Sequence, residues 1–267
     1  MIDKKIQEQL RKQYNPDGSQ LRTIQLCLLD ILIEFDRVCR KNGISYWIDS
    51  DTLIGAARHG GFIPWDDDLD VCILRKDRKR VAQALTRDLR EPFICEPDRR
   101  SWIKVFNRNV TVSREVPVPG KKPSTTIQNQ NIWIDVFVEH NGSARISRMI
   151  SGFYGRCLRR RYGIINDGKL KHLTAVCLYP IACLIASVAR MWGRISHPDT
   201  LIHDFGTGFY SERRLSDIFP TGEIEFEGHM FSAPSNIDGY LSRIYGDWNS
   251  LPKTIDNHNI KGIYDKQ

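Results

Sequence analysis

Apolar residues recur at three- and four-residue steps between positions 19 and 42. Leu21, Ile24, Leu28, Ile31, Leu32, Phe35, Val38 and Cys39 share one face, and Gly43 follows as a stop. That period predicts one long amphipathic helix. Beyond it the pattern shortens. "ISYWID" (44–49) and "DLDVCIL" (68–74) read as strands, with "TLIGAARH" (52–59) a short helix and "GGF" a turn between them. "RKDRKRVAQALTRDL" (75–89) predicts a helix with a basic outer face. "WIKVFN", "VTVSRE" and "IWIDVFV" supply further strands around "PVPGKKPSTT", whose Pro, Gly and Lys mark an exposed loop. From about 144 to 200 the pattern is helical and runs from basic to apolar, and the remainder mixes short strands with one helix, "IDGYLSRIYGD". Strands alternating with helices predict an α/β (α+β) fold, a mixed sheet flanked by helices. Three parts are expected: a core over 1–143, a helical insertion over 144–200, and a C-terminal part over 201–267 that completes the core.

One break in this pattern calls for chemistry. "GFIPWDDDLDVCILRKD" (61–77) places Asp66, Asp67, Asp68 and Asp70 within five positions, at the entrance of an apolar strand. Alternate strand residues share a face, so Asp68 and Asp70 project together while Leu69, Val71 and Ile73 turn to the core. Asp66 is placed to join them and Asp67 to point away. Asp135 sits alone among Ile132, Trp133, Ile134, Val136 and Phe137, where an unpaired carboxylate is costly. Asp68, Asp70 and Asp135 on neighbouring strands form a set of oxygen ligands for divalent ions in phosphoryl transfer. A turn and N-cap cluster explains a bare Asp-X-Asp equally well. "DTLIGAARHGG" offers a helix N-terminus and then Arg58 and His59, groups suited to phosphate. A salt bridge from Arg58 to a nearby aspartate is compatible with that role.

Composition narrows the setting. The 267-residue chain is 41% apolar and 27% charged, as expected of a folded protein with a sizeable core. A net charge of +7 points to an anionic partner without choosing among nucleotide, phospho-sugar, anionic lipid and nucleic acid. Scattered basic residues and no reader motif argue against nucleic acid. The seven cysteines have apolar neighbours and form no CxxC pair, which suits a reduced compartment. "MIDKKIQEQLRKQ" contains no signal-peptide core, so a cytoplasmic location is expected. Residues 173–192, "LTAVCLYPIACLIASVARMW", carry a single charge, Arg190, and follow the basic "CLRRRYGIINDGKLKH". A buried core helix and a helix lying on a membrane, with Arg159, Arg160 and Arg161 at the headgroups, both satisfy that pattern.

The stretches "ISYWIDSDTLIGAARHGGFIPWDDDLDVCILRKD" (44–77), "IKVFNRNVT" (103–111), "NIWIDVFVEH" (131–140) and "FEGHMFSAPSNIDGYLSRIYGDWNSLP" (226–252) closely resemble the LicD family. These are phosphotransferases of the nucleotidyltransferase fold, among them bacterial phosphocholine transferases and fukutin-related ribitol-phosphate transferases. The resemblance covers about 20–140 and 205–258 and leaves the helical region between unaligned. It implies a nucleotidyltransferase-like core in which Asp68, Asp70 and Asp135 bind Mg²⁺ or Mn²⁺. It also implies Arg58, His59 and Thr52 on the phosphate side and Lys104 near the nucleotide or the transferred phosphate. His258 lies near a terminal position that often carries a histidine in the family.

The activity so implied is transfer of phosphocholine or a polyol phosphate from a CDP-linked donor to a glycan or lipid-linked glycan acceptor. Lipopolysaccharide and teichoic-acid precursors are examples. A choline head group would need aromatic faces, for which Trp47, Trp65, Trp102 and Trp133 are nearby in sequence. Residues 156–192 are the expected contact with the inner face of the membrane. Nucleotidyl transfer and a scaffold that has lost catalysis are the competing readings. Two departures from the family pattern stand out. Asp51 replaces a glycine that lets backbone approach phosphate, and "DVFVEH" replaces "DIFP", which would add Glu139 and His140 to the site mouth.

Overall fold

The computed structural model describes residues 2–96, 102–117, 125–163, 165, 168–252 and 260–265. It opens with α1 (Lys4–Tyr14), capped by the Asp3 carboxylate, which accepts from the Lys5 and Ile6 amides. The long periodic stretch folds as expected into α2 (Gln20–Lys41), started by the Ser19 hydroxyl on the Arg22 amide. Its apolar face, including Ile24, Leu28, Ile31, Leu32, Phe35 and Val38, is fully buried. Then come β1 (Tyr46–Ile48) and α3 (Ser50–Ile54), which continues into a π-helical turn (Gly55–His59). Gly60, at φ +70°, ends that turn, a conformation glycine adopts at no steric cost.

Next are β2 (Asp70–Leu74), a 3₁₀ turn (Arg75–Asp77), α4 (Arg78–Asp88), β3 (Phe93–Glu96), β4 (Ile103–Pro117) and β5 (Thr125–Asn141). "WIKVFN" and "VTVSRE" are thus parts of one strand, β4, with a register irregularity between Asn107 and Thr111. A helical hairpin follows, α5 (Ala144–Arg161) and α6 (Lys169–Ser196). The C-terminal part contributes β6 (Thr200–His203), β7 (Arg213–Arg214), α7 (Leu215–Ile218), β8 (Gly222–Phe226), β9 (His229–Ala233), α8 (Ile237–Tyr245) and β10 (Ile260–Asp265).

The fold is mixed α/β with helices flanking one mixed sheet, as expected. The sheet runs β1-β2-β5-β4-β10, with β3 on β4, β6 on β5 and β7 on β6, while β8 and β9 form a separate hairpin. β2 and β5 pair in parallel; β2 with β1 and β5 with β4 and β6 are antiparallel. β6 and β10 come from the C-terminal part and complete the sheet of the N-terminal core. α6 is the surprise. Of its 28 residues the buried ones are Ala175, Ala182, Ala186, Arg190 and Gly193, so the apolar run does not form a buried core helix. A side chain at Gly193 would collide with the Asn141 carbonyl, so the small residue lets α6 close against the end of β5.

Candidate active site

The parallel register of β2 and β5 sets Asp70 opposite Asp135. Asp70 begins its strand rather than lying inside it, because Thr52 of α3 takes its amide (Oγ1, 2.9 Å) and its carbonyl accepts from the Asp49 amide (3.0 Å). Thr52 is therefore buried and holds Asp70 in place. The Asp135 amide in turn donates to the Leu69 carbonyl (3.0 Å). Asp68 precedes the strand and its side chain is half-exposed.

Charge is crowded here. Burial, and then Asp135, Asp68, Asp49 and Asp66, push the Asp70 carboxyl well above the usual range. Burial and the neighbouring Asp51, Asp68 and Asp67 do the same to Asp66. Asp66, Asp67 and Asp68 present oxygens within 4.8 Å of one another. Such an all-oxygen, over-charged group suits a hard divalent cation. Asp67 is buried and pairs with Arg114 (3.0 Å), which also reaches Asp68 (3.5 Å).

Asp135 is held from three sides. Trp102 Nε1 donates to one oxygen at 2.7 Å, Trp133 Nε1 to the other at 3.2 Å, and Lys104 Nζ lies 3.3 Å away. The Lys104 ammonium also stands 3.6 Å from the centre of the Trp133 ring, a cation–π contact. Lys104 is thus a strand lysine facing the carboxylates. Trp47 is fully buried, bonded to the Tyr240 hydroxyl (3.1 Å), and cannot line a substrate cage. Trp65 packs edge-on to Tyr14 and His59.

Arg58 and His59 are buried, with protein partners of their own. Arg58 Nη1 donates to the Trp248 and Ser250 carbonyls, both at 2.9 Å, and Nε donates to His59 Nε2 (2.9 Å). That bond makes Nδ1 the protonated nitrogen of His59, which donates to Gln7 Oε1 at 2.6 Å. Burial and Arg58 push His59 down to about 3, so it stays neutral. The pair ties α1 and the segment after α8 to the π-helical turn. Asp51 lies in the first turn of α3, close enough to Arg58 and Asp66 to act on both electrostatically. Positive φ falls on Ser50 (+51°) rather than on Asp51, so Asp51 imposes no left-handed strain. His258 lies outside the described residues.

Glu139 and His140 do not line the site mouth. Glu139 is fully buried four residues along β5 from Asp135, in a network with Asp49, Cys72, His203, Arg213 and Tyr240. Arg213 Nε meets Glu139 at 2.8 Å, Nη2 meets Asp49 at 3.2 Å and His203 Nε2 at 2.7 Å, and the Tyr240 hydroxyl donates to Asp49 at 2.5 Å. Burial pushes Glu139 up to about 7 against the pull of Arg213. Burial and Arg213 push His203 down to about 3. Asp49, Cys72, Glu139 and His203 present ligand atoms within 4.8 Å and could hold a metal, although Arg213 now supplies the positive charge between the two carboxylates. His140 packs on Phe205 with Nε2 3.5 Å from Asp204. Sequence reasoning did not find this network, or Arg114. Asp49, between a strand and a helix, was the available signal.

A parallel strand pair that joins two carboxylates, with a third at its entrance, suits divalent-cation phosphoryl transfer. Comparison with known proteins agrees. Residues 43–151, which contain Asp68, Asp70 and Asp135, match the LicD/FKTN/FKRP nucleotidyltransferase domain. The chain is 25% identical over 270 residues to the lipopolysaccharide cholinephosphotransferase LicD of Haemophilus influenzae, covering 91% of this chain and 97% of that protein. It is 44% identical over 55 residues to the human ribitol 5-phosphate transferase FKRP, covering 19% of this chain and 11% of that protein. An uncharacterized protein of Rickettsia prowazekii, RP689, is 40% identical over 74 residues, 28% of this chain and 26% of that protein. The matched domain and the transferases among these relatives support a LicD-family phosphotransferase.

Proposed function

We propose that the chain transfers phosphocholine or a polyol phosphate from a CDP-linked donor to a hydroxyl of a glycan or lipid-linked glycan precursor. The register that sets Asp70 beside Asp135, with Asp68 at the strand entrance, carries this reading. The activities for which LicD and FKRP are named supply the head groups. Asp68, Asp70 and Asp135 would hold Mg²⁺ or Mn²⁺. Once bound, the metal supplies charge neutralisation at the phosphoryl oxygens and acidifies the acceptor hydroxyl.

The remaining steps belong to the chain. The acceptor oxygen attacks the phosphorus bearing the head group, the bond from that phosphorus to the bridging oxygen breaks, and cytidine monophosphate leaves. Asp135, oriented by two indole N–H donors, takes the hydroxyl proton. Lys104 turns from Asp135 to the donor phosphate, and its departure uncovers the Trp133 ring for a quaternary ammonium. Thr52 holds Asp70, and Arg58 and His59 tie α1 and the segment after α8 to the π-helical turn beside it, which supports a positioning role for all three. The seven free cysteines support a cytoplasmic setting, and the products would be lipopolysaccharide or teichoic-acid precursors.

The test is product identity. Incubated with Mg²⁺ and CDP-choline, CDP-ribitol, CDP-glycerol or CDP-ethanolamine, the protein should release cytidine monophosphate with at least one donor. Pyrophosphate release from CTP, with no turnover of any of these donors, would replace the proposal with nucleotidyl transfer.

A further inference from the structure

The α5–α6 hairpin carries two properties that the reaction does not use. The first is charge. Residues 144–196 hold ten Lys and Arg against one acidic residue, a net +9, while the whole chain is +7. The protein's net positive charge is therefore carried by this hairpin, and the rest of the chain is slightly acidic at −2. The second is an exposed apolar stripe. Ile181, Leu184, Val188, Met191 and Ile195 recur at steps of three and four along α6 and are 51–72% exposed. Trp192 flanks the stripe and is 58% exposed.

The two properties are arranged together. Arg190, the only charge in the apolar run, turns inward and donates to Asp204 through Nη2 (2.7 Å) and Nε (2.9 Å). The outward face is thereby left without charge between Leu173 and Trp192. The basic residues gather where the hairpin turns. His172 Nδ1 donates to the Arg160 carbonyl at 2.8 Å, and the Arg161 guanidinium stands 5.1 Å from the Tyr179 ring. This brings the backbone of the Arg160–Arg161 end of α5 beside the Lys169–Lys171 start of α6, while Arg159 Nη1 donates to the Gly206 carbonyl (3.4 Å).

We propose that the hairpin docks on an anionic lipid bilayer, with α6 along the surface, its outward stripe at the acyl boundary and the arginine–lysine cluster on the headgroups. Basic residues beside an apolar stripe are the chemistry of an interfacial helix, and Trp192 suits the headgroup level. Charge argues against a second copy as the occupant, since pairing would set +9 against +9. α6 has the length and composition of a membrane span, but its attachments argue against crossing. α6 is fastened to the sheet through Arg190 and Gly193, and α5 beside it carries arginines along its length that hydrocarbon would not accept. The docking rests on the hairpin alone, and would bring a lipid-linked acceptor to the enzyme whichever donor it uses.

Flotation of the full chain with vesicles tests this. Phosphatidylcholine vesicles containing about one-third phosphatidylglycerol should carry the protein in low salt, and pure phosphatidylcholine vesicles far less. Changing Arg159, Arg160 and Arg161 to Ser should weaken binding roughly a hundredfold, at about 1 kcal/mol for each arginine. Ile181→Asp with Leu184→Asp lies on an exposed face, so it should keep the native circular dichroism and lose flotation. Asp70→Asn should float like the parent chain, which separates this inference from the reaction. No flotation on anionic vesicles would overturn the docking, as would undiminished flotation of the double aspartate variant. Lipid-free dimerisation abolished by that variant would assign the stripe to a second copy instead.

Discussion

Replacing Glu139 by Gln probes the buried network that braces β2, β5 and β6. In the folded protein Glu139 is pushed from its ordinary 4.5 up to about 7, with burial the largest cause and Asp49 reinforcing it. His203 is neutral throughout, Arg213 is always charged, and Asp49 stays ionised. Protonated Glu139 leaves Arg213 balanced by Asp49 alone, and ionised Glu139 adds an unbalanced buried charge. A group whose folded pKa is raised contributes stability that is present below its unfolded pKa and lost as pH rises through the folded one. Between about pH 4.5 and 7 the contribution should therefore fall, by about 3 kcal/mol as an upper bound for such a displacement. Urea denaturation of both proteins at pH 5.5, 7 and 8.5 measures it, and taking the difference cancels groups common to both. Relative to the parent, Glu139→Gln should gain stability as pH rises. A difference constant across that range would refute the charge balance. Repeating the series with a chelator separates protons from a metal held by Asp49, Cys72, Glu139 and His203, because a metal would keep Glu139 ionised and stabilising.

Three further outcomes are expected. Arg190→Ala leaves Asp204 buried with Arg75 and His140, and should cost about 3 kcal/mol in urea denaturation while detaching α6; loss below about 0.5 kcal/mol would contradict the anchoring role. Trp102→Phe removes the shorter indole bond to Asp135 and should lower kcat roughly tenfold or more with little change in donor KM, because an orienting contact is lost and no substrate contact is. Arg58→Met releases the Trp248 and Ser250 carbonyls, so limited proteolysis should cut after α8 faster than in the parent protein, and an unchanged digestion pattern would argue against the clamp.

Much of this architecture was legible in the sequence because it depends on local period. α2 was placed within a residue at each end since its apolar stripe and the Gly43 stop agree, and the Ser19 cap is what the structure adds. Asp135 stood out because a lone carboxylate in an apolar strand needs partners, and Trp102, Trp133 and Lys104 supply them. Other features depend on distant partners. Asp49 meets Arg213 across 164 residues of chain, so "YWIDSD" could not reveal a buried ion network. Arg58 looked like a phosphate ligand by its place after a short helix, and the sequence could not show that its guanidinium also donates to carbonyls about 190 residues on. The π-helical turn shares the helical signature of "GAARH" and needs the backbone itself to be seen. For α6 composition was ambiguous, since a core helix and a surface helix share it. The inward turn of Arg190 toward Asp204 decides which face is left outside.

The central claim is that Asp68, Asp70 and Asp135 form a cation site for phosphoryl transfer. Thermal unfolding of the parent and Asp70→Asn with and without Mn²⁺ tests it most directly, run beside a transfer assay. Without metal, Asp70→Asn should melt higher than the parent, because it relieves the crowding by Asp135, Asp68, Asp49 and Asp66. It should also lose the Mn²⁺-induced rise in melting temperature and nearly all transfer. An unchanged Mn²⁺ response together with substantial transfer in Asp70→Asn would contradict the account.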